Sequence, residues 1–138
     1  MTHALLHLKG RVSPDLEAQW MQQLEAVGQA HHWSELQVHQ LQLVVEEWME
    51  NLLAHALAPQ AGLQAILQLQ DVDDELELTL SDSGQAFNPL TRPPPSLDLD
   101  LDQLQPGGWG LHFIRSLACG THYERREDHN HLTLRFKK

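Results

Sequence analysis

Two neighbouring segments constrain this chain most. "LQAILQLQ" (63–70) and "ELELTLS" (75–81) each alternate apolar and polar residues, with the acidic "DVDD" between them. Strand side chains point to opposite faces in turn, so each segment puts its leucines on one side, and the acidic break reads as a hairpin turn. The result is a pair of antiparallel strands with one apolar face, which must be covered. Upstream residues can supply the cover. Leu16, Trp20, Leu24 and Val27 recur at helical spacing through about residue 31, opened by Ser13 as N-cap and Pro14 in the first turn. Ser34 can cap a second helix whose Val38, Leu41, Val45, Trp48 and Leu52 form a stripe spaced 3, 4, 3, 4, and Pro59 and Gly62 end it.

The remaining segments complete an alternating order. "LLHLKGRV" (5–12) has strand alternation, "WGLHFIRSLA" (109–118) returns to helical spacing, and "THYERRE" with "HLTLRFKK" closes a hairpin through "DHN". The order is therefore strand, helix, helix, strand, strand, long loop, helix, strand, strand, with no internal repeat. Three helices are too few to cover both faces of such a sheet. The expected fold is α+β: a two-layer sandwich of a mostly antiparallel mixed sheet with three helices on one face. From Asp82 to Gly108 the pattern dissolves into turn residues, the run Pro93 to Pro95 and the repeat "LDLDLD" (97–102). A loop of that length in a compact domain is usually functional or disordered.

Composition narrows the setting. A length of 138 residues suits one domain, 1–138, with enough chain to bury a core without staples. The single cysteine, Cys119, excludes an internal disulfide and a multi-thiolate zinc site; a small buried residue with a reduced thiol is expected, which points to the cytoplasm. "MTHALLHLKG" lacks the regions of a signal peptide, and no run reaches membrane-spanning length. A formal net charge of −10 at pH 7 repels nucleic acid and anionic lipid, and only the segment with Arg125, Arg126, Arg135, Lys137 and Lys138 is basic. The ten histidines include the adjacent His31 and His32, and His129 and His131 beside a turn, but without a thiolate or an H-E-x-x-H pattern no histidine metal site is expected.

Three groups of polar residues stand out against this frame. In "VVEEWMENLLAHAL" (44–57), Glu47, Asn51 and His55 lie four apart and stack along the margin of the apolar stripe, neither fully in solvent nor fully in the core. In "LSDSGQAFNP" (80–89), Asp82 stands where a strand ends, and Gly84 can take a positive φ and let a ligand approach the backbone. In "PGGWGLHF" (106–113), Gly107, Gly108 and Gly110 precede a helix, whose free N–H groups and positive end suit an anion. No Lys-Ser or Lys-Thr follows, so this is not a Walker motif. Nor do the glycines follow the first strand of a βαβ unit, as a Rossmann fingerprint requires.

The order of these groups, Glu-x-x-x-Asn, Asp-x-Gly, a long loop, then Gly-x-Gly, resembles the GHKL superfamily of ATP-binding domains, the Bergerat fold. Within it the chain looks most like the small anti-sigma regulatory factors that are serine/threonine-protein kinases, and the likeness runs from the first strand to the closing hairpin. The N box matches as Glu47 to Asn51 with His55 one turn on, the first glycine box as Asp82, Gly84 and Phe87, and the second as Gly108, Gly110 and Leu111. The resemblance implies ATP and Mg²⁺ as cofactors, with Asn51 on the metal, Asp82 on the adenine amino group, Gly84 making room for the ring, and Gly108 and Gly110 at the phosphates. It gives Glu47 the role of orienting and deprotonating an incoming serine hydroxyl. Residues about 90–106 would be the ATP lid, with Arg92 the one candidate to reach the γ-phosphate; that lid is expected to be mobile without ligand. Ala86, Trp48, Met49 and Glu50 depart from the residues common in relatives.

The implied function is an Mg-ATP-dependent anti-sigma-factor serine/threonine-protein kinase that phosphorylates an anti-anti-sigma antagonist through a serine. A sigma factor and a second copy of the chain are further candidate partners; nucleic acid and membrane are not. The alternative is an ATP-gated protein-binding module without phosphoryl transfer. A sensor histidine kinase is not expected, since no dimerisation helix with a phospho-accepting histidine precedes the domain.

Overall fold

The computed structural model describes residues 2–55, 62–91 and 117–138. Strand β1 (Thr2–Arg11) leads into helices α1 (Pro14–Ala30) and α2 (Glu35–His55); β2 (Gln64–Val72) and β3 (Glu75–Asp82) follow, then a short 3-10 turn (Pro89–Thr91), and β4 (Gly120–Arg126) and β5 (His129–Lys137) close the chain. The helix starts are those the serines dictate. Ser13 Oγ accepts from Leu16 N at 3.0 Å, and Ser34 Oγ accepts from Gln37 N at 3.1 Å, each satisfying an N–H that the first helical turn leaves open.

The five strands form one sheet in the order β1-β2-β3-β5-β4. All four pairings are antiparallel, so the expected mixed sheet is wholly antiparallel among the described residues. Of the three expected helices, two are described; residues 109–118 lie outside the described residues except for Leu117 and Ala118. Period-2 alternation aligns the core. Leu67, Leu80 and Leu132 share one cross-strand row, and Leu69, Leu78 and Leu134 the next, all at most 2% exposed. Against this face pack Leu16, Trp20, Leu24 and Val27 of α1 and Leu41, Val44, Val45, Trp48 and Met49 of α2. Trp20 and Trp48 stack at 6.3 Å between ring centroids, 7° from parallel, joining the two helices. Each fully buried leucine contributes roughly 1.5–3 kcal/mol relative to exposure.

Three local expectations are corrected. The closing hairpin turns at Glu127 and Asp128, both with positive φ (55° and 63°), so "DHN" is mostly strand and Asn130 belongs to β5. Cys119 is exposed, because it sits just ahead of the edge strand β4, and its N–H donates to Arg135 O at 2.8 Å. Gly84 does not have positive φ: among the described glycines only Gly62 does, at 106°.

Candidate functional site

The apolar rows of the sheet end in a different kind of row. Ala65, Asp82, Asn130 and Arg125 are cross-strand neighbours on β2, β3, β5 and β4, in register beyond the leucine rows. Asp82 and Asn130 continue the core-facing alternation of their strands, so both side chains are buried, 4% and 6% exposed. A carboxylate and an amide there need partners, because an unpaired buried polar group costs about 1–3 kcal/mol or more.

They find them in each other. Asn130 Nδ2 donates to Asp82 Oδ1 at 3.0 Å and to Gln85 O at 2.8 Å. Asn130 Oδ1 accepts from Phe87 N at 3.2 Å and from the Tyr123 hydroxyl. Asp82 Oδ1 also accepts from Gly84 N at 2.9 Å, closing a tight turn. That turn explains the glycine: a Cβ at residue 84 would stand 2.9 Å from Asp82 Oδ1 and 3.3 Å from Leu63 Cδ1, so the close approach, rather than a left-handed backbone, demands it. Arg125 Nη1 donates to Gly84 O at 2.7 Å from one side, while Ser83 N and Oγ bond Gln64 on the other. Burial raises the Asp82 carboxyl above the ordinary aspartate range, opposed by its bonds to Asn130 and Gly84 and by the charges of Arg125 and His129. Phe87, after this turn, is exposed.

The second cluster lies on α2. Glu47 and Asn51 occupy successive turns as expected, but Asn51 is more buried than a margin position, at 6% exposed. Asn51 Nδ2 donates to Glu47 O at 3.0 Å, a bond within the helix that leaves the other end of the amide unused. Asn51 Oδ1 and Glu47 Oε2 are both buried and, among the described residues, have no hydrogen-bond partner. Burial, followed by the charges of Glu50 and Glu46, raises the Glu47 carboxyl above the ordinary glutamate range. Glu17 of α1 joins this acidic neighbourhood, its own carboxyl raised by burial and then by Glu50, Glu46 and Glu47. Its part was hidden in the sequence, since it lies about thirty residues from the N box.

Two unpaired oxygens, one from an amide and one from a carboxylate, fit a hard cation and an incoming hydroxyl. Mg²⁺ takes oxygen ligands and shares one or two protein groups with nucleotide phosphates. His55 is the last helical residue of α2, its side chain outside the described ones. Gly108, Gly110, Leu111, Arg92 and the lid beyond Thr91 lie outside the described residues. The structure therefore assembles Asp82, Gly84 and Phe87 around Asn130, and Glu47 with Asn51 on α2. No hydrogen bond joins the two groups among the described residues.

Residues 11–136 match the histidine kinase-like ATPase domain. The chain belongs to that family. A curated relative, the serine/threonine-protein kinase BtrW of Bordetella bronchiseptica, is 34% identical over 111 residues, covering 80% of this chain and 78% of that one. A chain of the SiaB–SiaC complex from Pseudomonas aeruginosa superposes with a TM-score of 0.64 at 15% identity, over 96% of this chain and 89% of that one, a likeness of fold. As a kinase-like ATPase domain the chain has its Asp-x-Gly turn and its Glu-x-x-x-Asn helix inside the matched span. No helix of the described residues is long and apolar enough to cross a membrane.

Proposed function

We propose that this kinase-like ATPase domain transfers the γ-phosphoryl group of Mg-ATP to a serine of a small anti-anti-sigma antagonist in the cytoplasm, and that in another complex it holds a sigma factor. The chain is a GHKL-type protein serine/threonine kinase. The observation that carries the site assignment is the pair of buried oxygens on successive turns of α2, Glu47 Oε2 and Asn51 Oδ1, that have no partner among the described residues. Such atoms are unfavourable in an isolated domain and become satisfied when substrate and metal arrive.

Asn51 Oδ1 would hold Mg²⁺, which when bound neutralises charge developing on the transferred phosphoryl group. Glu47 accepts the proton of the attacking serine hydroxyl. Its raised carboxyl suits that task, since a base is most effective when its pKa lies nearer the working pH. Asp82 accepts a hydrogen bond from the adenine amino group and so selects the base, while Gly84 admits the ring. The helix margin that carries Glu47 and Asn51 thus faces the phosphates rather than solvent. Gly108 and Gly110 supply phosphate N–H donors, and His55 and Phe87 flank the nucleotide.

The test is transfer of labelled γ-phosphate to a serine-bearing antagonist, with ATP affinity measured on the same samples. Stoichiometric labelling that disappears when the acceptor serine becomes alanine supports the reading. Tight ATP binding with no transfer to any serine-bearing partner it binds sinks it, and leaves an ATP-gated binding module.

A further inference from the structure

We infer that Asn130 is a positioning residue for base recognition: it fixes the Asp82 carboxylate in one orientation and ties the Asp-x-Gly turn to the sheet. This rests on Asp82 reading the adenine amino group.

The orientation of the Asn130 amide is set by its partners. Asp82 Oδ1 and Gln85 O only accept, so the NH₂ end must face them; Phe87 N only donates, so the carbonyl end must face it. With Tyr123 donating as well, the amide has four bonds, two at each end, and is 6% exposed. It has no freedom to turn. Both bonds that Asp82 receives, from Asn130 Nδ2 and Gly84 N, fall on Oδ1. Oδ2 makes none among the described residues, so it is the oxygen left for a ligand donor.

The same amide reaches three points of the turn, residues 82, 85 and 87, from a strand 43 to 48 residues away in sequence. Asp82 and the turn that follows it are therefore positioned by one side chain. Without it, the carboxylate would keep only the Gly84 bond and could rotate, spreading its acceptor over orientations that do not meet the base. Arg125 alone cannot replace this, since its guanidinium bonds the Gly84 carbonyl and not the carboxylate.

The experiment compares ATP with inosine triphosphate, which carries a carbonyl in place of the amino group. Wild-type protein is expected to favour ATP by about 10- to 100-fold, the value of one charge-assisted hydrogen bond. Asn130→Ala is expected to bring that ratio to within about threefold of unity by weakening ATP far more than inosine triphosphate; KM for ATP rises and kcat stays within a few-fold. Tyr123→Phe, which keeps the ring and removes one donor to Asn130, should move the ratio the same way by less, and carries the test if Asn130→Ala does not fold. If both variants fold and weaken the two nucleotides equally, so that the ratio holds, Asn130 merely supports the fold and the inference is overturned. If wild-type protein itself shows no preference, the Asp82 assignment falls, and the inference with it.

Discussion

The end of β3 and the middle of α2 hold their buried polar groups in opposite ways. Around Asp82 the protein bonds converge on one carboxylate oxygen: Asn130 uses all four of its hydrogen-bonding positions, and Ser83, Gly84 and Arg125 lock the turn from both sides. On α2, Glu47 Oε2 and Asn51 Oδ1 are buried with no bonding partner among the described residues, beside a concentration of like charge from Glu17, Glu46 and Glu50. In the proposed reading, base recognition would be served by a preorganised acceptor, because selectivity depends on holding one geometry. Phosphoryl transfer would be served by groups left unsatisfied until substrate arrives, because interactions completed only then act on the transferred group rather than on the resting protein.

The comparison breaks most visibly at Glu47. Glu47→Gln keeps size and packing, so ATP affinity should stay within several-fold while phosphate transfer falls by about 10² or more, the usual contribution of a general base. Equal losses in affinity and rate would make Glu47 a binding group instead. Asn51→Ala should damage both quantities. Isothermal titration with and without Mg²⁺ should show the metal-dependent part of ATP affinity falling about 10- to 100-fold, the range even for outer-shell partners of a metal. A loss that is the same with and without Mg²⁺ would take Asn51 off the metal.

At the end of β3, Asp82→Asn should weaken ATP binding by about tenfold, since the replacement keeps one acceptor oxygen for Asn130 and loses the charge-assisted bond to the base. The pH dependence sharpens the contrast further. If Asp82 reads the adenine amino group, its ionised form is the stronger acceptor, and burial raises its carboxyl, so ATP affinity should decline on acidification at a higher pH than an ordinary aspartate would dictate. Stability of the free protein should move the opposite way. Carboxyls raised in the folded state bind protons more readily there than in the unfolded chain, so the penalty of ionised Asp82, Glu47 and Glu17 applies above their folded values and is relieved as pH falls through them. Chemical unfolding across the mildly acidic range, with and without ATP, measures both trends. The smallest expected effect is on the same axis: Glu47→Gln should raise the thermal midpoint of the free protein, on the order of a degree or two, by removing a desolvated charge from among its like neighbours.

Whatever depended on local or periodic order was legible in the sequence. Alternation in "LQAILQLQ" and "ELELTLS" fixes two strands and their buried faces, Ser13 and Ser34 set the helix starts, and the N-box spacing puts Glu47 and Asn51 on one face of α2, because each of these reads out a period or a cap within a few residues. Tertiary structure alone decided the rest. Asn130 looked like a turn residue in "DHN", and only the pairing of β3 with β5 brings it opposite Asp82, 48 positions earlier. Glu17 enters the acidic neighbourhood of Glu47 only when α1 packs on α2. Cys119 is apolar enough for a core, yet its place beside an edge strand leaves it exposed. Gly84 is required by a carboxylate folded over its nitrogen rather than by a special φ. In each case the deciding neighbour is distant in sequence or belongs to a turn whose shape the sheet imposes, and no period or cap encodes such a neighbour.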